Sequence, residues 1–234
     1  MKKFKYLGII PARIGSQSIK YKNILKINNK PLFYYAANAL IKCRSINKKI
    51  YSTDSHEIAN YAHKYGYEKR NLRPKSLSGN HTKILDVLKY ELKKENKNEY
   101  FDYIVLVQPT SPTITTSLLN KAIKIVQENE PDNLITGYDC GMQHPSTFFQ
   151  LNKNKSIRWL IKDSNRDARR QDFKKYFIRT GLVYIIRSSL ILNNKFYGTK
   201  INFLEIPKSK SITIDDHSDF LAAKKYFRKN KKHD

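Results

Sequence analysis

The sequence predicts an α/β fold, a doubly wound and mostly parallel sheet with helices on both faces. Short apolar runs alternate with amphipathic helical segments through the first half of the chain, and this repeated β-α-β order is typical of a parallel sheet. The run YIVLV within residues 102–108 shows no alternation of polar and apolar residues. Such a run predicts a strand that is buried on both faces.

The other elements follow from the same periodicities in chain order. Strands are predicted for short apolar segments at residues 7–10, 49–53, 102–108, 133–138 and 182–186. Helices are predicted where apolar residues recur three or four positions apart, at residues 31–42, 55–64, 84–94 and 118–126. Asp54 or Ser55 is the expected N-cap of the second helix. In this kind of sheet the ligand site lies beyond the C-terminal strand ends, where Arg13, Asp54 and Gln108 fall.

The regular pattern breaks after Tyr138. Residues 140–178 are polar and interrupted, with the charged run RDARRQDFKK near their end. We therefore predict one α/β domain made of residues 1–139 and 179–234, with residues 140–178 as a small insertion. Such a polar insertion is hard to explain as part of a self-contained core, so we expect a symmetric homodimer built on it.

Composition narrows the class of protein. No segment approaches the roughly 18 apolar residues that a membrane span requires, and the apolar run after the basic N-terminus is too short for a signal peptide. Cys43 and Cys140 are the two cysteines of the chain, so we expect no disulfide framework and a cytoplasmic location. The formal charge of +25 comes from lysines spread along the whole chain. We therefore expect neither a nucleic-acid partner nor a membrane partner.

The most informative segment is LGIIPARIGSQSIKYKN at residues 7–23. An apolar strand leads into a small, basic, hydroxyl-bearing loop that carries Arg13, Ser16 and Lys22. Such a loop suits a polyphosphate, because hydroxyl and backbone N–H groups donate hydrogen bonds and the cations neutralise charge. The loop matches neither GxxxxGK[ST] nor GxGxxG. An ordinary P-loop and a dinucleotide fingerprint are therefore excluded.

This loop resembles the opening loop of the acylneuraminate cytidylyltransferase family, the CMP-sialic acid synthetases and related CMP-nonulosonic acid synthetases. The shared pattern is Pro11-Ala12-Arg13 followed by Ser16, Lys22 and Asn23. Further blocks occur in the family's order: STDS at 52–55, RPKSL at 73–77, LVQPTSP at 106–112, RRQ at 169–171, GLVYI at 181–185 and ITIDDHSDF at 212–220. Together these blocks extend over nearly the whole chain.

The resemblance implies a nucleotidyltransferase, Rossmann-like fold and a set of nucleotide-binding residues. It implies that Arg13 and Lys22 are catalytic and hold the triphosphate and the pyrophosphate leaving group. It further implies that Ala12, Ser16 and Asn23 bind the nucleotide.

Four more positions take roles from the same resemblance. Arg73 is expected to face the base or ribose, and Gln108 to contact both the nucleotide and the sugar. Arg170 and Gln171 are expected to bind the acidic sugar, because a guanidinium can form two parallel hydrogen bonds with a carboxylate. A charged surface helix is the alternative interpretation of this last pair.

The expected cofactor is Mg²⁺. The family motif carries two Asp residues separated by one position, and this chain has Thr213 at the first and Asp215 at the second. The resemblance implies Asp215 as the metal ligand, and Mg²⁺ can be held by one carboxylate together with waters and phosphate oxygens. If this segment is a strand, Thr213 and Asp215 point to the same side, while Asp216 points away and caps the final helix.

The predicted function is therefore a cytidylyltransferase that joins CTP to an acidic nonulosonic sugar and releases pyrophosphate. One alternative is a sugar nucleotidyltransferase of other specificity, for ketodeoxyoctonate or with another nucleotide. A second is a catalytically degenerate relative, because Gln17, Asn80 and Thr213 replace a Lys and two Asp residues of the family pattern. A basic nucleic-acid-binding protein is the alternative from a different class.

Overall fold

The computed structural model describes residues 3–16, 18–161 and 174–230, which form ten strands and six α-helices. The strands are β1 (Tyr6–Pro11), β2 (Lys26–Ile27), β3 (Lys30–Pro31), β4 (Lys48–Ser52), β5 (Tyr103–Val107), β6 (Asn133–Asp139), β7 (Phe149–Leu151), β8 (Ile157–Trp159), β9 (Phe177–Arg187) and β10 (Ile201–Glu205). The helices are α1 (Leu32–Ile41), α2 (His56–Lys64), α3 (Ile84–Glu95), α4 (Thr116–Asn129), α5 (Ser188–Leu192) and α6 (His217–Lys229). Within these ranges no helix combines the length and the apolar character needed to cross a membrane.

The central sheet has six strands in the order β10-β6-β9-β5-β1-β4. β1 runs parallel to β4 and β5, and β10 runs parallel to β6. β9 lies between β5 and β6 and runs antiparallel to both. The predicted mostly parallel sheet is confirmed, with one reversed strand whose direction the apolar pattern does not reveal.

Helices cover the sheet on both faces. On one face α1, α2 and α4 bury side chains such as Phe33, Ile58 and Leu119. On the other face α3 and α5 bury Leu88 and Ile191. Burial of each large apolar side chain contributes about 1.5–3 kcal/mol to folding, so the two layers hold the strands in place. The doubly wound architecture is therefore confirmed.

Most predicted elements begin and end within three residues of the observed positions. Ser55 caps α2 as expected, because its side-chain oxygen accepts a hydrogen bond from the backbone N–H of Ile58 at 3.3 Å. β9 is the exception, since it begins at Phe177 while the prediction began at residue 182. Its first residues are largely exposed and lack a continuous apolar run. The last two residues of the predicted insertion, Phe177 and Ile178, thus belong to the central sheet.

The segment between β6 and β9 contains a small hairpin. β7 pairs antiparallel with β8, and the rings of Phe149 and Trp159 meet edge to face with centroids 5.5 Å apart. All three residues of β7 are exposed. The hairpin is a separate two-stranded sheet outside the core.

Candidate active site

A cavity of about 420 Å³ opens at the C-terminal ends of β1 and β5. Three basic side chains line it, those of Arg13, Lys22 and Arg73, and no carboxylate is found among the described residues of its lining. Ser16, Asn23 and Gln108 also line it, and sequence reasoning assigned all six residues to the nucleotide. The structure therefore brings together the predicted nucleotide-binding side chains, apart from Ala12, at the expected end of the sheet.

Side-chain hydrogen bonds fix the loop that follows β1. The backbone N–H of Ile14 donates to Asp54 Oδ1 at 2.9 Å. The side-chain amide of Asn23 donates to the carbonyl oxygen of Arg13 at 2.8 Å. Asn23 is buried, and its Oδ1 has no hydrogen-bond partner among the described residues. A buried acceptor without a partner is costly, so a ligand hydroxyl or amino group that donates to it would remove this cost.

Arg13 reaches across the cavity to Asn80. Its Nη1 donates to Asn80 Oδ1 at 2.6 Å. Because the amide is neutral, it orients the guanidinium without neutralising its charge. The positive charge of Arg13 therefore stays available to an anionic ligand.

Arg73 is held under the cavity with 6% of its surface exposed. Its backbone N–H donates to the carbonyl oxygen of Thr53 at 2.6 Å, and its Nε donates to Ser78 Oγ at 3.2 Å. Burial lowers the pKa of Arg73, and the carboxylates of Asp54 and Glu91 act in the opposite direction. An arginine stays protonated in proteins, so this position presents a permanent and poorly solvated cation.

Lys22 joins the loop to the segment that precedes α6. It is buried, and its Nζ donates to the carbonyl oxygens of Ile214 at 2.8 Å and of Asp215 at 3.0 Å. Burial lowers the pKa of Lys22, while the carboxylates of Asp215 and Asp219 act in the opposite direction. Ser18 Oγ also donates to the carbonyl oxygen of Asp215. Two residues of the loop thus fix the backbone of the predicted metal ligand.

Asp215 lies in an adjoining cavity of about 400 Å³ rather than in the first one. That cavity is also lined by Arg179, Thr213 and Asp219. Asp219 Oδ2 accepts hydrogen bonds from the backbone N–H groups of Asp215 at 2.9 Å and Asp216 at 3.1 Å. Asp216 is the N-cap of α6, as predicted, in a capping box with Asp219.

The strand on which the expected common direction of Thr213 and Asp215 depended is not formed. Residues 212–215 contain no strand, and the backbone N–H of Ile214 instead donates to the carbonyl oxygen of Thr110 at 2.8 Å. The sheet is complete without them, so the segment serves as the approach to α6. Thr213 and Asp215 nevertheless line the same cavity.

The donor set at Asp215 fits Mg²⁺ bound partly by substrate. No group of three or more His, Cys, Asp or Glu side chains that could hold a metal ion occurs in the described part of the chain. Mg²⁺ does not require such a group, because it keeps several waters and commonly takes one or two carboxylates together with phosphate oxygens. The Asp215 carboxylate and the Thr213 hydroxyl are hard oxygen donors of the required kind.

Gln108 lies beside the boundary between the two cavities. It lines the first cavity, and its side chain lies against Gly181, which lines the second. A Cβ on Gly181 would lie only 2.5 Å from Gln108 Oε1. A glycine at this position of β9 therefore leaves room for the amide at the entrance to both cavities.

One predicted position lies outside this arrangement, and two others fall among residues that the structure does not describe. Ala12 is fully buried in the core and does not line the cavity, although its neighbours Pro11 and Arg13 do. Arg170 and Gln171 lie outside the described residues, as does Gln17.

Sequence reasoning missed Ser18 and Arg179 as site residues. Ser18 was one of several hydroxyls in a loop, and nothing in the loop indicates that it contacts a segment 197 positions away. Arg179 precedes the apolar run from which β9 was predicted. The aromatic and β-branched residues at 177, 178 and 180 could have extended β9, and the two-residue period of a strand would then have placed Arg179 and Gly181 on one face.

The family assignment follows from the chain as a whole. Residues 7–232 match the family model described as Cytidylyltransferase. The chain belongs to the cytidylyltransferase family. The match covers β1 from its second residue, the loop that follows β1, both cavities and α6, so the described site lies entirely within the matched residues. The predicted resemblance and the assignment to nucleotidyltransferase enzymes are confirmed.

Named relatives refine the comparison within the cytidylyltransferases. A pseudaminic acid cytidylyltransferase of Campylobacter jejuni is 26% identical over 97% of this chain and 97% of its own length. An N-acylneuraminate cytidylyltransferase of Escherichia coli is 27% identical over 92% of this chain, which spans 50% of that relative.

Two solved structures share the fold at low identity. A CMP:2-keto-3-deoxy-manno-octonic acid synthetase in complex with CTP has a TM-score of 0.70 at 16% identity, covering 96% of this chain and 99% of that one. A 4-diphosphocytidyl-2C-methyl-D-erythritol synthase from Anaerococcus prevotii has a TM-score of 0.63 at 13% identity. The match covers 97% of this chain and 100% of that one. Both support the α/β fold.

Proposed function

We propose that this enzyme transfers CMP from CTP to an acidic nonulosonic sugar and releases pyrophosphate. The observation that carries the proposal is the cavity lined by Arg13, Lys22 and Arg73, in which no described lining residue carries a carboxylate. Three partly desolvated cations suit a triphosphate, which brings several negative charges to one place. The named relatives act on pseudaminic and N-acylneuraminic acids, which are nonulosonic acids of this kind.

The first cavity would hold CTP. Arg13 and Lys22 would neutralise the triphosphate and the departing pyrophosphate, and Ser16 and Asn23 would anchor the nucleotide. The anomeric hydroxyl of the sugar would attack the α-phosphate in line. For such a transfer the protein mainly positions the two reactants and stabilises developing charge, so the mechanism requires no covalent enzyme intermediate.

The adjoining cavity is our candidate for the sugar. Its Arg179 can pair with the sugar carboxylate through two parallel hydrogen bonds. The guanidinium also lies near the rings of Tyr184 and Tyr197, at 5.7 Å and 5.8 Å from their centroids, which restrict its orientation. Gln108 would contact both reactants from its position beside Gly181. Arg170 and Gln171 remain predicted contacts to the sugar.

We further propose Mg²⁺ as the cofactor, held by Asp215 with support from the Thr213 hydroxyl. When bound, the ion would polarise the α-phosphate and lower the pKa of the attacking sugar hydroxyl. The chain's own part is to hold Asp215 in place. Ser18 and Lys22 fix its carbonyl oxygen, and Asp219 fixes its N–H.

A homodimer is proposed on the hairpin of β7 and β8. Apolar side chains on and beside it are unusually exposed, with 52% of Phe149, 67% of Leu151 and 60% of Leu160 accessible. A hairpin of two three-residue strands is not stable by itself in water, and clustered exposed apolar residues mark interaction surfaces. A second copy of the chain would cover this hairpin.

The substrate CTP and the two unpaired cysteines suit a cytoplasmic enzyme.

Calorimetric titration with CTP in the absence of sugar tests the nucleotide site. Arg13→Ala should weaken CTP binding by about 1.5–3 kcal/mol, the range for a lost hydrogen bond to a charged group. Arg44→Ala is the matched control, because Arg44 is an exposed arginine at the end of α1 that does not line the cavity. Equal CTP affinity in the two variants would contradict the proposed nucleotide site.

A further inference from the structure

A separate cavity of about 430 Å³ lies at the free edge of β4, between α2 and residues 69–72. His56, Asn60 and His63 of α2 line it, and their spacing of four and three positions places them along one face of the helix. Lys69 and Asn71 line it from the opposite side. The nucleotide cavity shares none of these residues.

Two of the residues that line this cavity each carry a buried polar atom without a hydrogen-bond partner among the described residues. Tyr51 is 2% exposed, and its hydroxyl oxygen makes no hydrogen bond with the described residues. His63 Nε2 is also buried and makes none. Buried polar atoms in native proteins are nearly always hydrogen-bonded. Two exceptions in the lining of one cavity therefore indicate a missing polar ligand.

The charged side chains that line this cavity favour an anionic ligand. His56, His63, Lys69 and Arg70 line the cavity, and the described part of its lining contains no carboxylate. Arg70 is already paired with Glu91 and Glu95 at 2.7 Å and 2.6 Å, so Lys69 supplies the uncompensated charge. Glu57 and Glu68 are exposed neighbours in sequence that do not line the cavity.

We propose that this cavity binds an anion of the phosphate class. A phosphate group offers several strong acceptor oxygens, which match the Tyr51 hydroxyl, the His63 Nε2–H, the Lys69 ammonium and the amides of Asn60 and Asn71. A metal ion is disfavoured, because residues 56 and 63 are about 10 Å apart along the helix axis.

The position of the cavity gives the bound anion a structural consequence. Leu72 lines it, and the next residue, Arg73, lines the nucleotide cavity. Thr53 lies three residues before α2, and its carbonyl oxygen accepts from the backbone N–H of Arg73 at 2.6 Å. An anion that bridges α2 and Lys69 therefore contacts both segments that support Arg73.

Histidine NMR resonances measured during titration at constant pH and ionic strength test the proposal. Inorganic phosphate should shift the ring signals of His56 and His63, and potassium chloride at the same ionic strength should not. CMP is the second arm, and a response to CMP without a response to inorganic phosphate would identify a phosphate carried by a nucleotide. Arg13→Ala should leave these shifts unchanged, which separates this site from the nucleotide cavity.

Two conservative variants give the decisive comparison. Tyr51→Phe removes only the unpartnered hydroxyl, and Lys69→Gln removes only the exposed charge. Each should weaken anion binding at least about tenfold, the lower end for a hydrogen bond to a charged group. Tyr6→Phe is the matched control, since Tyr6 also has a buried, unpartnered hydroxyl but lies on β1 away from the cavity. The proposal would be overturned if phosphate shifted the histidine ring signals no more than potassium chloride does. Equal phosphate affinity in Tyr51→Phe and Tyr6→Phe would overturn it as well.

Discussion

At the residue scale, Asp215 shows how the chain places one carboxylate without the second that the family pattern contains. Its backbone is held from three directions, by Ser18, Lys22 and Asp219. This support lets a single carboxylate keep a fixed position although Thr213 stands where the resemblance expects another Asp. Asp216 uses its side chain to cap α6, so Asp215 stays the proposed metal ligand.

We predict that Asp215→Asn abolishes turnover and weakens Mn²⁺ binding, measured by electron paramagnetic resonance, because the only carboxylate proposed for the metal is lost. CTP should still bind through Arg13 and Lys22. Asp216→Asn is the control, since asparagine is also a good N-cap, and it should keep both turnover and metal affinity. Loss of metal binding in Asp216→Asn, with Asp215→Asn unaffected, would place the ligand at Asp216.

Sequence reasoning selected residues that the structure brings to one cavity, namely Arg13, Lys22, Asn23, Arg73 and Gln108. Four of them lie in loops after the C-terminal ends of β1 and β5, and Arg73 is hydrogen-bonded to Thr53 just after β4. Sequence reasoning could not find contacts between distant segments. The bond from Arg13 to Asn80 joins positions 67 apart in the chain, and no local pattern encodes such a distance.

At the element scale, β4 and α3 are tied together by a buried ionic network. Glu95 accepts from Lys48 at 2.7 Å and from Arg70 at 2.6 Å, and Arg70 also contacts Glu91. Ser52 Oγ donates to Glu91 Oε1 at 2.7 Å. Because β4 is an edge strand with one neighbour in the sheet, this network contributes to holding it against α3.

We predict that Glu95→Gln destabilises the protein by about 2 kcal/mol in chemical denaturation, because it removes the carboxylate that pairs with Lys48 and one of the two that pair with Arg70. Glu99→Gln is the matched control. Its partner Lys5 is 2.9 Å away, but both side chains are substantially exposed, so the cost should stay below about 1 kcal/mol. Equal destabilisation by the two substitutions would contradict the role of the network.

The same network predicts a dependence of stability on pH. Burial raises the pKa of Glu95, but hydrogen bonds from Lys48 and Arg70 outweigh burial and hold the pKa below its ordinary 4.5. A carboxyl group with a lowered pKa in the folded state stabilises the protein above its unfolded pKa, and this contribution is lost as pH falls through the folded pKa. The stability difference between wild type and Glu95→Gln should therefore shrink below about pH 4.5. A difference that stays constant from neutral to acid pH would contradict this.

The elements themselves were predictable where an apolar run or a helical period was long enough. β5 has such a run, and α3 has such a period. The start of β9 and the structure of the segment before α6 could not be predicted. The first half of β9 is exposed, and residues 212–215 contact other loops instead of a neighbouring strand. In both places tertiary contacts decide the local structure.

At the scale of the whole molecule, the sequence predicts the layered fold because every layer must bury an apolar face. The proposed homodimer rests on the same rule, because the apolar side chains of the hairpin of β7 and β8 are not covered within the described chain. The direction of β9 could not be predicted, because a strand buried on both faces has the same composition whether it runs parallel or antiparallel to its neighbours.

We predict that Phe149→Glu combined with Leu151→Glu converts a dimer into a monomer, because two charges would be buried without partners in the interface. Light scattering coupled to size-exclusion chromatography measures the change. Leu221→Glu is the control, since Leu221 is 54% exposed on α6 and should leave the dimer intact. A wild-type protein that is monomeric at micromolar concentration and fully active would contradict the proposed assembly.

The central claim is tested most directly by an assay of nucleotide and sugar specificity. Pyrophosphate release is measured for four nucleoside triphosphates against pseudaminic acid, N-acetylneuraminic acid and ketodeoxyoctonate, with mass spectrometry of each product. We expect pyrophosphate release with CTP and a nine-carbon acid, together with a product that has the mass of the corresponding CMP-sugar. Preference for another triphosphate, or a product formed only with ketodeoxyoctonate, would contradict it. CTP binding without release for any sugar would contradict it in favour of a catalytically degenerate relative.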